Sequence, residues 1–251
     1  MILRINLRFL GKPLVIALSV VLLAVLIPGI SQSGSSQDAS ANGIILSYDE
    51  QEAGVDAYPL RILVVPGYLR MDDGDDHGDF MLFDRVRRTI YSVNHEDRDI
   101  LVIGHNAAAD EQGVQPDLNL GVEKIKAVNV PPVDGKKPDI YRFTAAGEVC
   151  IEAVVVPGLL PAAVQALGEY GRLLAEHQRS TLENTPVEFR TPCYLSRYVY
   201  MPGRQLLKGL PIQEWDNSGY RRTLIDFQGS VLIDPALFEL PAGYSRYTPG
   251  G

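Results

Sequence analysis

The chain has 251 residues, 46% of them hydrophobic and 22% charged, which is the composition of an ordinary globular protein and excludes intrinsic disorder, collagen-like and coiled-coil architectures. The 23 glycines and 17 prolines point to many turns and not to low complexity. The formal net charge of −8 becomes about −10 without residues 1–41, whose only charged side chains are Arg4, Arg8, Lys12 and Asp38. Such a surface repels phosphate backbones and anionic headgroups, so no nucleic-acid partner is expected, and the small cluster Arg85, Arg87, Arg88 does not reverse that.

The N-terminus reads as an export signal. Three cations precede an apolar run from Leu14 to Ile27 broken only by Ser19, and Ala39-Ser40-Ala41 fits a cleavage site before Asn42. The stretch from Pro13 to Ile30 also reaches the lower limit for a membrane-spanning helix. Residues 1–41 are therefore expected to be a signal peptide or an inner-membrane anchor with a tether, and 42–251 a single periplasmic domain. No cysteine directly follows the apolar segment, which argues against a lipid-modified N-terminal cysteine.

Beyond the Ser/Gly/Ala-rich stretch 31–43, short apolar segments alternate with turn residues, which is a β pattern. Strands are expected at Ile44 to Tyr48, Leu60 to Val65, Tyr68 to Asp72, Phe80 to Asp84, Thr89 to Val93 and Asp99 to Ile103. Their connections are short enough to make antiparallel neighbours. His105 to Asp139 reads as a long loop with one short helix near Leu118 to Lys126. Strands resume at Ile140 to Thr144 and Val149 to Val156. A helix over 160–183 follows, with Pro161 at its first position and a stripe Leu160, Val164, Leu167, Gly171, Leu174, Gln178. The chain then returns to strands at Leu210 to Trp215, Tyr220 to Phe227 and Val231 to Ile233, with Pro241-Ala242-Gly243 closing the ordered part.

Several strands, such as Ile62 to Val65, Phe80 to Phe83 and Ile100 to Ile103, are apolar on both faces, so both faces must be covered. One helix and a loop do not cover both sides of a flat sheet. The expected fold is therefore mainly β with packed helices: a curved antiparallel sheet forming an unclosed β-barrel whose concave side holds either core or cavity. In an oxidising compartment the only two cysteines, Cys150 and Cys193, are expected to form a disulfide. It would staple the helical excursion to the sheet and stabilise it by up to roughly 4 kcal/mol.

Tyr68-Leu69-Arg70-Met71-Asp72 before an acidic turn, then Phe83-Asp84 and Thr89-Ile90-Tyr91-Ser92-Val93, with a closing Asp234-Pro235-Ala236-Leu237-Phe238-Glu239-Leu240-Pro241, resemble the LolA/LolB-like family. That family comprises exported lipoprotein carriers and receptors, with uncharacterised proteobacterial proteins grouped around the fold. The resemblance implies an unclosed barrel wrapped over helices, with a hydrophobic cavity that holds acyl chains in the carriers. The irregular stretch 105–139 and the paired cysteines depart from that pattern, and fold likeness does not transmit function.

Motifs for chemistry are sparse. The run Asp72-Asp73-Gly74-Asp75-Asp76-His77-Gly78-Asp79 could offer oxygens to Ca²⁺, but it lacks EF-hand spacing and reads better as a hairpin turn. His77, His95, His105 and His177 show no metal-ligand spacing, and neither a GxSxG elbow nor a glycine-rich phosphate loop is present. No metal, cofactor or catalytic residue is therefore expected. Tyr194, Tyr198 and Tyr200 with Arg197 and Arg204 read as a disulfide-pinned connector or a recognition surface, and Trp215 as a core plug.

Two functional readings remain. In the first, a non-catalytic periplasmic carrier holds a lipid, acyl chain or acylated protein in an apolar concavity lined by Leu69, Met71, Met81, Phe83, Ile90 and Leu101. In the second, a membrane-anchored sensor or protein-interaction domain has the same fold with a filled core.

Overall fold

Short turns dictate the first half of the molecule. In the computed structural model, which describes residues 41–106, 116–126 and 130–249, β1 (Ala41–Gln51) and β2 (Tyr58–Val65) lead into a meander. Its members are β3 (Tyr68–Asp72), β4 (Phe80–Asp84), β5 (Thr89–Asn94) and β6 (Asp99–Gly104). Pro66-Gly67 joins β2 to β3, with Val65 opposite Tyr68. The β4–β5 and β5–β6 turns, four residues each, end on Arg88 and Arg98 at φ 50° and 54°, the left-handed residue that lets the chain reverse into an antiparallel neighbour.

The remaining strands are β7 (Gly121–Ile125), β8 (Asp139–Ala145), β9 (Glu148–Val156), β10 (Leu210–Trp215), β11 (Arg221–Ile233) and β12 (Ser245–Tyr247). The twelve strands of the described residues form one sheet in the order β12-β6-β5-β4-β3-β2-β1-β11-β10-β9-β8-β7. The protein is mainly β, and the sheet does not close, because its end strands β12 and β7 are not paired with each other. Every neighbour is antiparallel except β12, which lies parallel to β6.

The double-sided apolar strands are satisfied by two different covers. On the inner face Ile62, Val64, Leu69, Phe83, Ile90, Leu101 and Ile103 share one core with α1 (Pro161–Ser180). On the outer face Leu63, Val65, Phe80, Leu82, Val93 and Ile100 pack with Phe238, Leu240 and Tyr244 from the C-terminal segment. The expectation of one helix and a loop has no place for that second cover. Arg70, 2% exposed, helps hold it down: its guanidinium donates to the Leu237 carbonyl at 2.7 Å and to Asp72 at 2.6 Å, and stands 4.0 Å over the Phe80 ring.

The sheet also curls. Glu176 of α1 reaches Arg88 and His105 at the ends of β5 and β6, while Arg179, one turn on, donates to the Val199 carbonyl in the excursion that a disulfide pins to β9. In a flat sheet β6 and β9 would lie roughly 40 Å apart at the usual strand spacing. Both are tied to the same stretch of helix, β6 through His105 and β9 through the disulfide-pinned excursion, so the two halves of the sheet fold towards each other around it.

Four expectations need correction. Leu118 to Lys126 forms no helix: Gly121–Ile125 is strand β7, paired with β8 from Gly121 opposite Thr144 to Ile125 opposite Ile140. No period marks this segment in the sequence, and pairing with an exposed sheet edge decides its conformation. The separate strands 220–227 and 231–233 are one 13-residue strand, β11, which runs through Gly229 and Ser230 with register shifts against β1. The ordered chain does not close at Gly243, since β12 lies beyond it. Along α1 the deepest residues are Ala163, Ala166, Leu167, Leu173, Ala175 and Glu176, so of the expected stripe only Leu167 lies at the centre of the contact. Small alanines admit close approach of the sheet, and Leu160, Val164 and Leu174 flank the contact as partly buried members of the same core.

The expected signal or anchor, residues 1–40, lies outside the described residues, as do 107–115 and 127–129 of the expected loop. No described helix is long and apolar enough to cross a membrane.

Candidate functional site

The six residues expected to line a concavity are brought together on the inner face. Leu69 across from Phe83, Met71 across from Met81, and Phe83 across from Ile90 form adjacent cross-strand pairs. Leu69, Phe83, Ile90 and Leu101 are buried, and Met71 and Met81 pack against them half-buried. The face is occupied by α1. Tyr170 sets its ring edge-on to Phe83, centroids 6.0 Å apart, and its hydroxyl lies 3.7 Å from the Met81 sulfur. Burial pushes the Tyr170 phenol well above its ordinary pKa, so the ring stays neutral in its apolar surroundings.

Where this core meets solvent, a cleft of about 480 Å³ opens between α1 and the β4–β5 turn. Phe83, Pro66 and Val86 supply its apolar wall, and Arg85, Arg88, Arg172 and Glu169 its charges. Glu169, Arg172 and Glu176 stand one helical turn apart on α1, which aims them together at the turn. Arg85 donates from Nε to Glu169 at 2.6 Å and from Nη1 to the Pro66 carbonyl at 3.0 Å. The hydrogen bond from Arg85 holds the Glu169 carboxyl below its ordinary pKa. Arg88 donates to Glu176 at 2.5 Å and to Nε2 of His105 at 3.1 Å. With Nε2 accepting, the ring proton sits on Nδ1, which donates to the other Glu176 oxygen at 2.6 Å. Arg172 is exposed and makes no hydrogen bond or close ion pair among the described residues, though its charge also helps hold the Glu169 carboxyl down.

Between this half of the inner face and the half under β8–β10 runs a polar seam. Across β1, β11 and β10, Arg222 lies directly opposite Glu50 on one side and Glu214 on the other. Its guanidinium pairs with Glu214 and stands 5.1 Å over the Tyr48 ring, while the Tyr48 hydroxyl donates to the Pro211 carbonyl at 3.0 Å. One cation serves two carboxylates here. Burial raises the pKa of Glu50 from its ordinary 4.5, and burial with the nearby Glu50 pushes Tyr58 up to about 12.

Cys150 and Cys193 are disulfide-bonded, with Cα atoms 5.0 Å apart. The bond pins the excursion 182–209 over β8–β10. Within it Arg197 donates to the Cys150 carbonyl and to Asp216 and lies 5.2 and 5.5 Å from the Tyr198 and Tyr220 ring centres. Arg204 donates to the Thr144 and Gly121 carbonyls and stacks over Phe143 at 5.3 Å. The Tyr/Arg stretch is thus largely consumed in clamping the connector.

The acidic turn is a set of local caps: Asp72, Asp73 and Asp75 each accept a backbone N–H two residues on, and Arg61 bridges Asp72 and Asp76, each at 2.7 Å. No group of three or more His, Cys, Asp or Glu arranged to hold a metal occurs among the described residues. His95 is joined to the Tyr244 hydroxyl at 2.7 Å and His77 lies exposed in the turn. Trp215 is no core plug. A register shift between Pro211 and Gln213 reverses the alternation of β10, so Glu214 is buried and Trp215 stands half-buried opposite Glu152, to which its indole N–H donates at 2.8 Å.

Sequence reasoning misses the cleft. Arg85 and Arg88 read only as part of a small basic cluster, and Glu169, Arg172 and His105 are distant in the chain. The one available signal is the i, i+3, i+7 spacing of Glu169, Arg172 and Glu176 on a helix whose opposite side is apolar.

No protein-family model matches the chain, and no curated protein matches it. Among solved structures it is similar to an uncharacterized conserved protein from Thermus thermophilus, at 8% identity over 83% of this chain and 91% of that one, with a TM-score of 0.41. It is also similar to PNGF-II in two crystal forms, at 11% and 9% identity over 83% of this chain, with a TM-score of 0.40 in both. The match spans only 31% and 32% of the PNGF-II chains. Likeness of this degree carries no argument about fold or activity. None of these proteins is named for the LolA/LolB-like family, so that resemblance rests on the residues quoted for it.

Proposed function

We propose that this chain is a non-catalytic sensor or protein-interaction domain, exported and held at the inner membrane by residues 13–30, whose curled sheet encloses a core and presents its surfaces to a partner. The observation that carries this reading is Tyr170, seated against Met81 and Phe83 in the place an acyl chain would need. Around it Leu167, Leu173 and two alanines of α1 complete the same core. Carriage of a lipid or acylated protein, the LolA/LolB-like role, would require that face to be vacated. Large apolar side chains are instead exposed on the excursion, at Val187, Phe189 and Leu207, and on β11, at Ile225 and Leu232; exposed apolar surface of this kind is what partner contacts use.

Site-specific photo-crosslinking in an exporting cell separates the two roles. Crosslinkers at Phe189 and Leu207 are expected to yield protein adducts, and crosslinkers at Met71 and Met81 only bonds within the chain. Lipid adducts at Met71 or Met81 would overturn the interaction reading in favour of carriage.

A further inference from the structure

We propose that the cleft between α1 and the β4–β5 turn binds a single carboxylate carried on a short apolar chain, with Arg172 as its counter-ion and Val86, Pro66 and Phe83 as the wall for the chain. This goes beyond the interaction reading and does not depend on it, because the cleft lies at the rim of the filled core, which Phe83 closes off as its floor.

Charge selects the head group. Three arginines face the cleft, and two of them are committed: Arg85 to Glu169 and the Pro66 carbonyl, Arg88 to Glu176 and His105. Arg172 acts on Glu169 only through its charge and keeps its N–H donors, since no hydrogen bond or close ion pair engages them among the described residues. Two glutamates against three arginines leave one positive charge, which a monoanion balances. A phosphate dianion would bring an excess negative charge beside Glu169 and Glu176, in a chain whose formal net charge is already −8. A guanidinium fork presents two parallel N–H groups to a carboxylate, the pairing that gives both strength and orientation.

Shape selects the rest of the ligand. At about 480 Å³ the cleft is far larger than acetate needs and falls within the range of small-molecule sites. Its apolar wall includes Val86, 84% exposed, a large apolar side chain left in water at the tip of a turn that is otherwise cationic. An apolar chain lying from Arg172 across Val86 would cover it.

The test is calorimetric titration of the full chain, in nanodiscs if it purifies with membrane, using octanoate, octyl phosphate, octan-1-ol and acetate. The expected result is one octanoate site, at least ten-fold weaker binding of octyl phosphate, and no measurable binding of octanol or acetate. Arg172→Ala should weaken octanoate at least ten-fold without changing the melting temperature, and Val86→Ser should weaken it several-fold. Octanoate binding equally well to Arg172→Ala, octanol binding as tightly as octanoate, or no octanoate binding at millimolar concentration would each overturn the proposal. Tighter binding of octyl phosphate would overturn the choice of carboxylate.

Discussion

The two halves of the inner face solve one problem by different chemistry. From β2 to β6 the sheet is covered by α1 through aliphatic and aromatic contact. From β8 to β10 it is covered by an excursion of short helical turns from Leu182 to Gly209, held by a disulfide, two arginines bonded to backbone carbonyls, and ring stacking. The first cover is a regular helix whose face buries itself. The second has little regular structure, so its backbone groups and its position must be secured by individual bonds. The comparison teaches that burial suffices where the covering element satisfies its own hydrogen bonds, and that covalent and cationic clamps are needed where it does not.

Four variants test the contrast, from largest effect to smallest. Phe83→Ala, at the centre of the α1 half, should cost about 3–5 kcal/mol in chemical denaturation, because it removes a buried ring and the partner of Tyr170. A cost below about 1 kcal/mol would mean that this face has room to collapse.

Replacing Cys150 and Cys193 together by Ser should cost about 2–4 kcal/mol. Hydrogen exchange should then show lost protection in residues 182–209 while β2–β6 keep theirs, and an equal loss in both halves would erase the distinction.

Glu50→Gln probes the polar seam between the halves. Burial raises the folded pKa of Glu50 above its ordinary 4.5, so the group's favourable contribution is present below that value and is lost as pH rises through the folded one. Glu50→Gln should therefore melt higher than the parent at pH 7 and match it at pH 4. The opposite order at pH 7 would mean that attraction to Arg222 outweighs burial.

The smallest effect is Gly171→Ala on α1. The added methyl would meet only Pro202, at an ordinary 3.7 Å, so the helix should gain about 0.5–1 kcal/mol from propensity alone. A loss would show that α1 and the excursion pack more tightly there than the contact implies. Gly43 is the contrasting glycine: a methyl there would come within 2.7 Å of the Val64 carbonyl oxygen, so the close approach of β1 to β2 requires it.

Legibility follows the same division. In the meander, Tyr68–Asp72 and Phe80–Asp84 have the bounds read from sequence, because turns of two to seven residues leave local signals and an apolar run marks each strand. The disulfide is legible from cysteine number alone. β7 is not, since Gly-Val-Glu-Lys-Ile has no preference of its own and takes strand form only against β8. The outer cover escapes because Leu237, Phe238, Leu240 and Tyr244 show no regular period and find their places only once β3–β6 exist. The six residues read as a cavity lining share one face, but whether that surface is empty depends on Tyr170, which does not belong to the helical stripe read from sequence. The cleft is invisible for a related reason: its charges come from a turn and a helix about 80 residues apart, and they converge only when α1 lies on the sheet.

Methyl-resolved NMR of the full chain with octanoate tests the central claim, that the inner face is core and that ligand chemistry belongs to its rim. Cross-relaxation from the octanoate chain should reach the Val86 methyls and be absent at Leu69, Ile90 and Leu101. Contacts to Leu69, Ile90 or Leu101, with Tyr170 displaced from Phe83, would contradict the account and make the sheet a carrier cavity.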